Sequence, residues 1–150
     1  MNAIPDRLQR IRNLPIFAAC NKHELEEIDR LTDEISIPAG RMLMQQGELG
    51  QEFALIISGE AEVIRDDAVI ATLGPGDYFG EVALLDSVSR TASVRAKTDM
   101  QLEVLDRRGF NTLLDDLPQL SRSILKGLAH RMAEHQLEIQ RLRARLAEQA

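Results

Sequence analysis

The sequence predicts a mainly β chain with helices at both ends, and three observations carry that reading. Seven of the nine glycines fall between residues 33 and 106. Between them lie short β-type runs, such as Phe53-Ala54-Leu55-Ile56-Ile57 and Val69-Ile70-Ala71-Thr72-Leu73. On either side of that region the apolar residues recur instead at spacings of three and four. Strands this short, at near-regular intervals with turn signals between them, predict an antiparallel sandwich or barrel.

The elements follow in order. Leu8, Ile11 and Leu14 recur at helical spacing before Pro15. Asn21 with Glu24 then forms a capping-box pattern, and Leu25, Ile28 and Leu31 supply an apolar stripe that belongs to the core. Further strands are expected at Ile35-Ser36-Ile37, Ala61-Glu62-Val63-Ile64, 91–96 and 100–105. Asp66-Asp67 reads as a tight hairpin and Gly74-Pro75-Gly76-Asp77 as a turn. Asp106 is a good N-cap for a helix that buries Phe110, Leu113, Leu114 and Leu117 at i, i+3, i+4 and i+7. Pro118 fits the first turn of a second helix. Along it Leu125, Leu128, Met132, His135, Ile139, Leu142 and Leu146 alternate spacings of three and four, a coiled-coil seam that predicts dimerisation. The first half of that stripe fits a helix lying on its own barrel equally well.

Composition bounds the possibilities. The 150 residues suggest one domain, 1–150, with N-terminal helices over 1–32, strands over 33–106 and C-terminal helices over 107–150. A net charge of −6 argues against a protein that grips nucleic acid non-specifically. The single cysteine, Cys20, excludes an internal disulfide framework and fits a buried structural role in a reducing cytosol. No apolar stretch approaches the roughly 20 residues of a membrane span, and the N-terminus lacks an apolar signal core. A cytoplasmic protein is therefore expected. A cupin-type enzyme would need histidine ligands inside the strand region, whereas His23, His130 and His135 all lie outside it. With no serine–histidine–acid set and no Cys/His cluster, neither catalysis nor a metal is expected.

The chemistry concentrates in residues 74–96, GPGDYFGEVALLDSVSRTASVRA. Gly80 permits close backbone approach. The next residues, 81–85, suit a single helical turn whose first N–H groups are unpaired, an anion site. Arg90 follows nine positions after Glu81 and leads into a strand where Ala92, Val94 and Ala96 face one way. An arginine beside such a turn pairs well with a phosphate. Glu81 would repel that phosphate unless it accepts a hydrogen bond from a ligand hydroxyl, as from a ribose 2′-OH. A glutamate and an arginine nine apart would otherwise be ordinary solvated charges.

The span from Phe79-Gly80-Glu81 to Arg90-Thr91-Ala92, together with Pro38-Ala39-Gly40, Gln46-Gly47-Glu48, Gly50 and Phe53 to Gly59, resembles one family. That family is the cyclic-nucleotide-binding domain of catabolite activator protein, of kinase A regulatory subunits and of cyclic-nucleotide-gated channels. The resemblance covers residues 14–132. It implies a jelly-roll β-barrel of about eight strands with N-terminal helices, two C-terminal helices and a phosphate cassette over 79–92. It implies that Glu81 accepts from the ribose 2′-OH and Arg90 pairs with the cyclic phosphate. Gly80 would border the ligand closely, backbone N–H groups near Val82, Ala83 and Ala92 would complete the cradle, and Val63, Ile70 and Ala71 would lie along the base. Thr91 leaves cyclic AMP and cyclic GMP both open, since its hydroxyl could reach the guanine amino group. The long last helix would be a lid, with Arg131 turned toward Glu81 and with His135 and Gln136 at the adenine edge.

These implications make the chain a cyclic-nucleotide sensor, cyclic AMP first and cyclic GMP possible, that signals by movement of its C-terminal helices and forms a homodimer. A stand-alone protein, begun at its own methionine, is one expectation. A sensor excised from a transcription regulator or channel is the other, although a chain ending at Ala150 leaves no room for a helix-turn-helix domain.

Overall fold

The computed structural model describes residues 6–80, 82–86 and 89–149. The chain gathers into two compact units, one built from the chain up to Glu26 and from Leu117 onward, the other from Glu27–Asp116.

The second unit holds eight described strands: β1 (Asp33–Ile37), β2 (Met42–Met44), β3 (Glu52–Ser58), β4 (Ala61–Arg65), β5 (Ala68–Leu73), β6 (Tyr78–Phe79), β7 (Ser93–Ala96) and β8 (Met100–Asp106). They pair antiparallel in two four-stranded sheets, ordered β1-β8-β3-β6 and β2-β7-β4-β5. The expected strand number and mainly β class hold, with one correction to the barrel. Pairing among the described strands stops at β1 and β6 in one sheet and at β2 and β5 in the other. The strands therefore form two sheets around a shared core and no closed barrel. Ile37, Ala54, Ile56, Met100 and Leu102 from one sheet meet Ala61, Val94 and Ala96 from the other. Period-two alternation puts Ala92, Val94 and Ala96 on the buried side, as expected.

Turn chemistry sets the strand ends. Asp66 and Asp67 have φ of 51° and 67°, the two left-handed positions of a hairpin turn whose twist matches the flanking strands. At Gly74-Pro75-Gly76-Asp77, the Asp77 N–H donates to the Gly74 carbonyl at 3.0 Å. A carboxylate oxygen of Asp77 accepts from the Gly74 N–H at 2.8 Å. Helix α3 (Val82–Leu85) is one turn, and α4 (Arg107–Asp116) begins where Asp106 Oδ1 accepts the Gly109 N–H at 2.7 Å. Phe110 and Leu113 are the buried residues of α4.

The first unit contains α1 (Asp6–Arg12), a 3-10 turn at Pro15–Phe17, the start of α2 (Lys22–Leu31) and α5 (Pro118–Glu148). The expected capping box forms: Glu24 N–H donates to Asn21 Oδ1 at 2.8 Å, and Asn21 N–H donates to Glu24 Oε1 at 3.0 Å. Glu24 is buried and its carboxylate also accepts from the Ser123 hydroxyl at 2.9 and 3.1 Å. Leu120, Ile124 and Gly127 form the buried face of α5. A Cβ on Gly127 would lie 2.7 Å from the Pro15 carbonyl oxygen, so only glycine lets the helix approach this closely. Farther along, Met132, Leu137, Ile139, Leu142 and Leu146 are exposed. Among the described residues no helix is long and apolar enough to cross a membrane.

Candidate functional site

Arg90 is held from three sides within the second unit. Its N–H donates to the Glu48 carbonyl at 2.8 Å, and its carbonyl accepts from the Gly47 N–H at 2.8 Å. These reciprocal bonds clamp it to the loop between β2 and β3. Its guanidinium Nη2 donates to the Glu52 carbonyl at 2.8 Å. Two glycines make the room. A Cβ on Gly50 would run into the Arg90 guanidinium. One on Gly80 would stand 2.6 Å from Arg90 Nη1 and 2.5 Å from the Glu52 carbonyl oxygen. Gly80 also has a φ of 82°, which a side chain would disfavour.

Two hollows meet at this arginine. One of about 170 Å³ is lined by Arg90, Glu52 and Arg41 with Met42, Met44, Ala54 and Phe79. The other, about 260 Å³, is lined by Arg90, Glu52, Glu48, Leu49 and Gly50. A wider hollow of about 480 Å³ beside Pro38, Ser58 and Asp99 includes none of the expected site residues among its described lining. The cation marks the chemically distinctive place, since polar groups that converge on a cavity set what it binds.

The remaining expected residues divide into groups. Ala83 and Ala92 are buried beside Arg90's segment. The Ala83 N–H already donates to the Gly80 carbonyl at 3.0 Å, so a ligand could only share that donor. Thr91 is exposed, and its carbonyl accepts from Arg65 Nε at 3.1 Å. Val63 packs against the inter-sheet core and pairs across the strand with Ala71, which projects to the same face yet is exposed. The register slips between Val63 and Ile64, leaving half-exposed Ile70 as the extra residue of a bulge. Glu81 and the side chain of Val82 lie outside the described residues.

Arg131, His135 and Gln136 belong to α5, in the other unit. Arg131 Nε donates to His135 Nε2 at 3.1 Å, one turn along the helix. His135 and Gln136 are exposed.

Sequence reasoning passed over Arg107 and took Gln46 only as part of the Gln46-Gly47-Glu48 motif. Gln46 exchanges paired hydrogen bonds with the hairpin turn: its Nε2 donates to Asp66 Oδ1 and its Oε1 accepts the Asp66 N–H, both at 3.0 Å. Arg107 donates to main-chain carbonyls around α3. All but the Asp66 Oδ1 bond go to backbone atoms, which any residue type supplies, so sequence pattern carries little signal for them. Gly50 was legible only as a corner; its clearance for Arg90 emerges from the fold.

Cys20 is no nucleophile. Burial, reinforced by the Glu24 carboxylate and opposed by Arg12, pushes its thiol up to about 12. Among the described residues no group of His, Cys, Asp and Glu could hold a metal ion.

An arginine in a glycine-cleared recess, beside a single helical turn and between two antiparallel sheets, is an arrangement with relatives. A model of the cyclic nucleotide-binding domain matches residues 34–116. The chain is 37% identical over 114 residues to a cAMP-dependent protein kinase regulatory subunit from Schizosaccharomyces pombe, covering 75% of this chain and 28% of that protein. It is 36% identical over 134 residues to the cyclic AMP receptor protein of Thermus thermophilus, covering 86% of this chain and 62% of that one. The chain thus spans less than two thirds of either relative. The crystal structure of the N-terminal domain of a transcriptional regulator from Streptomyces coelicolor A3(2) superposes with a TM-score of 0.77 at 25% identity, covering 84% of this chain and 94% of that domain. The matched residues take in both sheets, the cassette turn and the Arg90 recess, and they make up more than half of the chain, which belongs to the cyclic nucleotide-binding domain family.

Proposed function

We propose that the protein is a cytoplasmic, non-catalytic sensor of cyclic AMP, with cyclic GMP as a possible second ligand, that signals through its C-terminal helices. The observation that carries this reading is Arg90: a guanidinium fixed by main-chain bonds in a recess cleared by Gly50 and Gly80. A fixed guanidinium offers paired, charge-assisted hydrogen bonds to a phosphate. Glu81 takes the ribose 2′-OH, backbone N–H groups at Val82, Ala83 and Ala92 add to the phosphate cradle, and Val63, Ile70 and Ala71 face the base. The exposure of Ala71 on a face otherwise turned inward supports an apolar platform open at the sheet edge. Thr91 is the candidate discriminator between the two bases. Arg131, His135 and Gln136 act from the lid helix.

The relatives' names, a cAMP-dependent kinase subunit and a cyclic AMP receptor, support cyclic AMP as the first ligand to test. The exposed stripe of Leu125, Met132, Ile139, Leu142 and Leu146 supports a homodimer along α5, because with Leu128 and His135 in the gaps its three–four spacing is that of a two-stranded seam. Calorimetric titration with cyclic AMP, cyclic GMP and linear AMP tests the reading. Cyclic ligands should bind and the linear one should bind far more weakly. Arg90→Ala should lose about 2–5 kcal/mol, roughly thirty- to several-thousand-fold in affinity. Unchanged affinity in that variant means the anion is held elsewhere.

A further inference from the structure

Helix α3 is four residues long, too short to persist by its own hydrogen bonds, and its last carbonyls have no partner within the turn. Arg107 supplies partners from outside. Its Nε donates to the Ala83 carbonyl at 2.7 Å and its Nη2 to the Asp86 carbonyl at 2.6 Å. Its own N–H donates to the Gln51 carbonyl at 2.8 Å. Gln51 adjoins Glu52, whose carbonyl holds Arg90 Nη2, and Ala83 is bonded to Gly80, which borders the same guanidinium. One residue therefore fastens both the turn and the strand entry between which Arg90 lies.

We infer that Arg107 is a positioning residue for the phosphate site: it sets the α3 backbone relative to Arg90 without touching the ligand. Arg107 is also the first residue of α4, so the same fork ties the cassette turn to the start of the C-terminal helices. Lysine cannot replace it. A guanidinium presents two N–H donors at fixed separation to two carbonyls, whereas an ammonium is a single point donor on a flexible stem. The inference rests on reading the recess as a cyclic-phosphate pocket, and its test separates the two.

Arg107→Lys and Arg107→Gln are compared with wild type by hydrogen exchange of residues 82–86 without ligand, by thermal melting and by cyclic AMP titration below the melting range. Both variants should exchange at those amides at least about tenfold faster and bind cyclic AMP roughly 10- to 100-fold more weakly, mainly through faster dissociation, the size typical of lost supporting contacts. Melting should change little in Arg107→Lys, which keeps the charge and stem. In an Arg90→Ala background the Arg107→Lys loss should shrink below about twofold, because the geometry it maintains has lost its centre. Unchanged exchange at 82–86, or a lowered melting temperature with unchanged affinity, overturns the proposal and leaves Arg107 a fold staple. If wild type binds no cyclic nucleotide, the pocket reading falls by itself, and the exchange experiment still decides whether Arg107 holds α3.

Discussion

Gly50→Ala should separate binding from stability. Gly50 lacks the positive φ of Gly47 and Gly80, so alanine meets no backbone strain there. What the new methyl meets is the Arg90 guanidinium, the movable end of a long side chain. The fold can yield by swinging that end aside, and the loss of glycine's unfolded-state freedom is worth about 0.4–1 kcal/mol in the variant's favour. The displaced guanidinium, however, gives up its 2.8 Å bond to the Glu52 carbonyl and its aim at the recess. Misaiming the guanidinium forfeits at least one charge-assisted bond to the ligand phosphate, about 1.5–3 kcal/mol, which converts to a roughly 10- to 150-fold loss of cyclic AMP affinity. Calorimetric titration gives the affinity, and a melting curve on the same sample gives the stability. The Glu52 bond is solvent-exposed, so water replaces it and its loss roughly offsets the gain from removing glycine. The expected result is weaker binding with little change in melting temperature. Affinity within about twofold of wild type, with Gly50→Ala folded, would refute the idea that the cleared recess positions Arg90 for the ligand.

Three further outcomes are expected. If Glu81 reads the ribose, 2′-deoxy cyclic AMP should bind more weakly than cyclic AMP, and Glu81→Gln should narrow the gap; equal affinities in wild type would give Glu81 another role. If nucleotide and dimer are linked through α5, sedimentation across a concentration series should show a ligand-dependent shift of about 5- to 150-fold in dimer affinity, abolished by Met132→Glu; superimposed curves would uncouple them. Cys20 should resist disulfide-exchange reagents near pH 8 in the native state and react on addition of urea. Its folded value of about 12 lies above the ordinary 9.0, so its contribution to stability is full below about pH 9 and drains away as pH rises toward 12. Rapid native labelling would contradict the burial.

What the sequence disclosed and what it withheld follow a physical line. Local chemistry was readable because its partners lie within a few residues: the Asn21–Glu24 box, the Asp66-Asp67 hairpin, the Gly74–Asp77 turn and the Asp106 cap each close over two to four positions. Strand order was not, because β8 pairs with both β1 and β3, and spacing along the chain cannot show whether two sheets close into one. Within the site, Arg90 stood out by charge and interval. The support around it acts through clearance at Gly50 and through main-chain bonds to Gly47, Glu48 and Glu52, with Arg107 bonded to the nearby Ala83 carbonyl, and any residue type supplies a main-chain atom.

The notch at Gly127 has a bearing on how the protein is made. The Pro15–Phe17 turn and Glu24 belong to a body whose other half, α5, is encoded beyond the strands, and the Glu24–Ser123 pair alone spans 99 positions. At ~5–20 residues per second on the ribosome, the early segment waits roughly 5–20 s for the helix that fits against it. During that interval both sheets can be completed, while Pro15's carbonyl and the ring of Phe17 still lack α5. The sheet unit is thus free to mature before its flanking body exists, and Ile16 and Phe17, buried in the finished fold, gain their packing against α5 only after that helix is made.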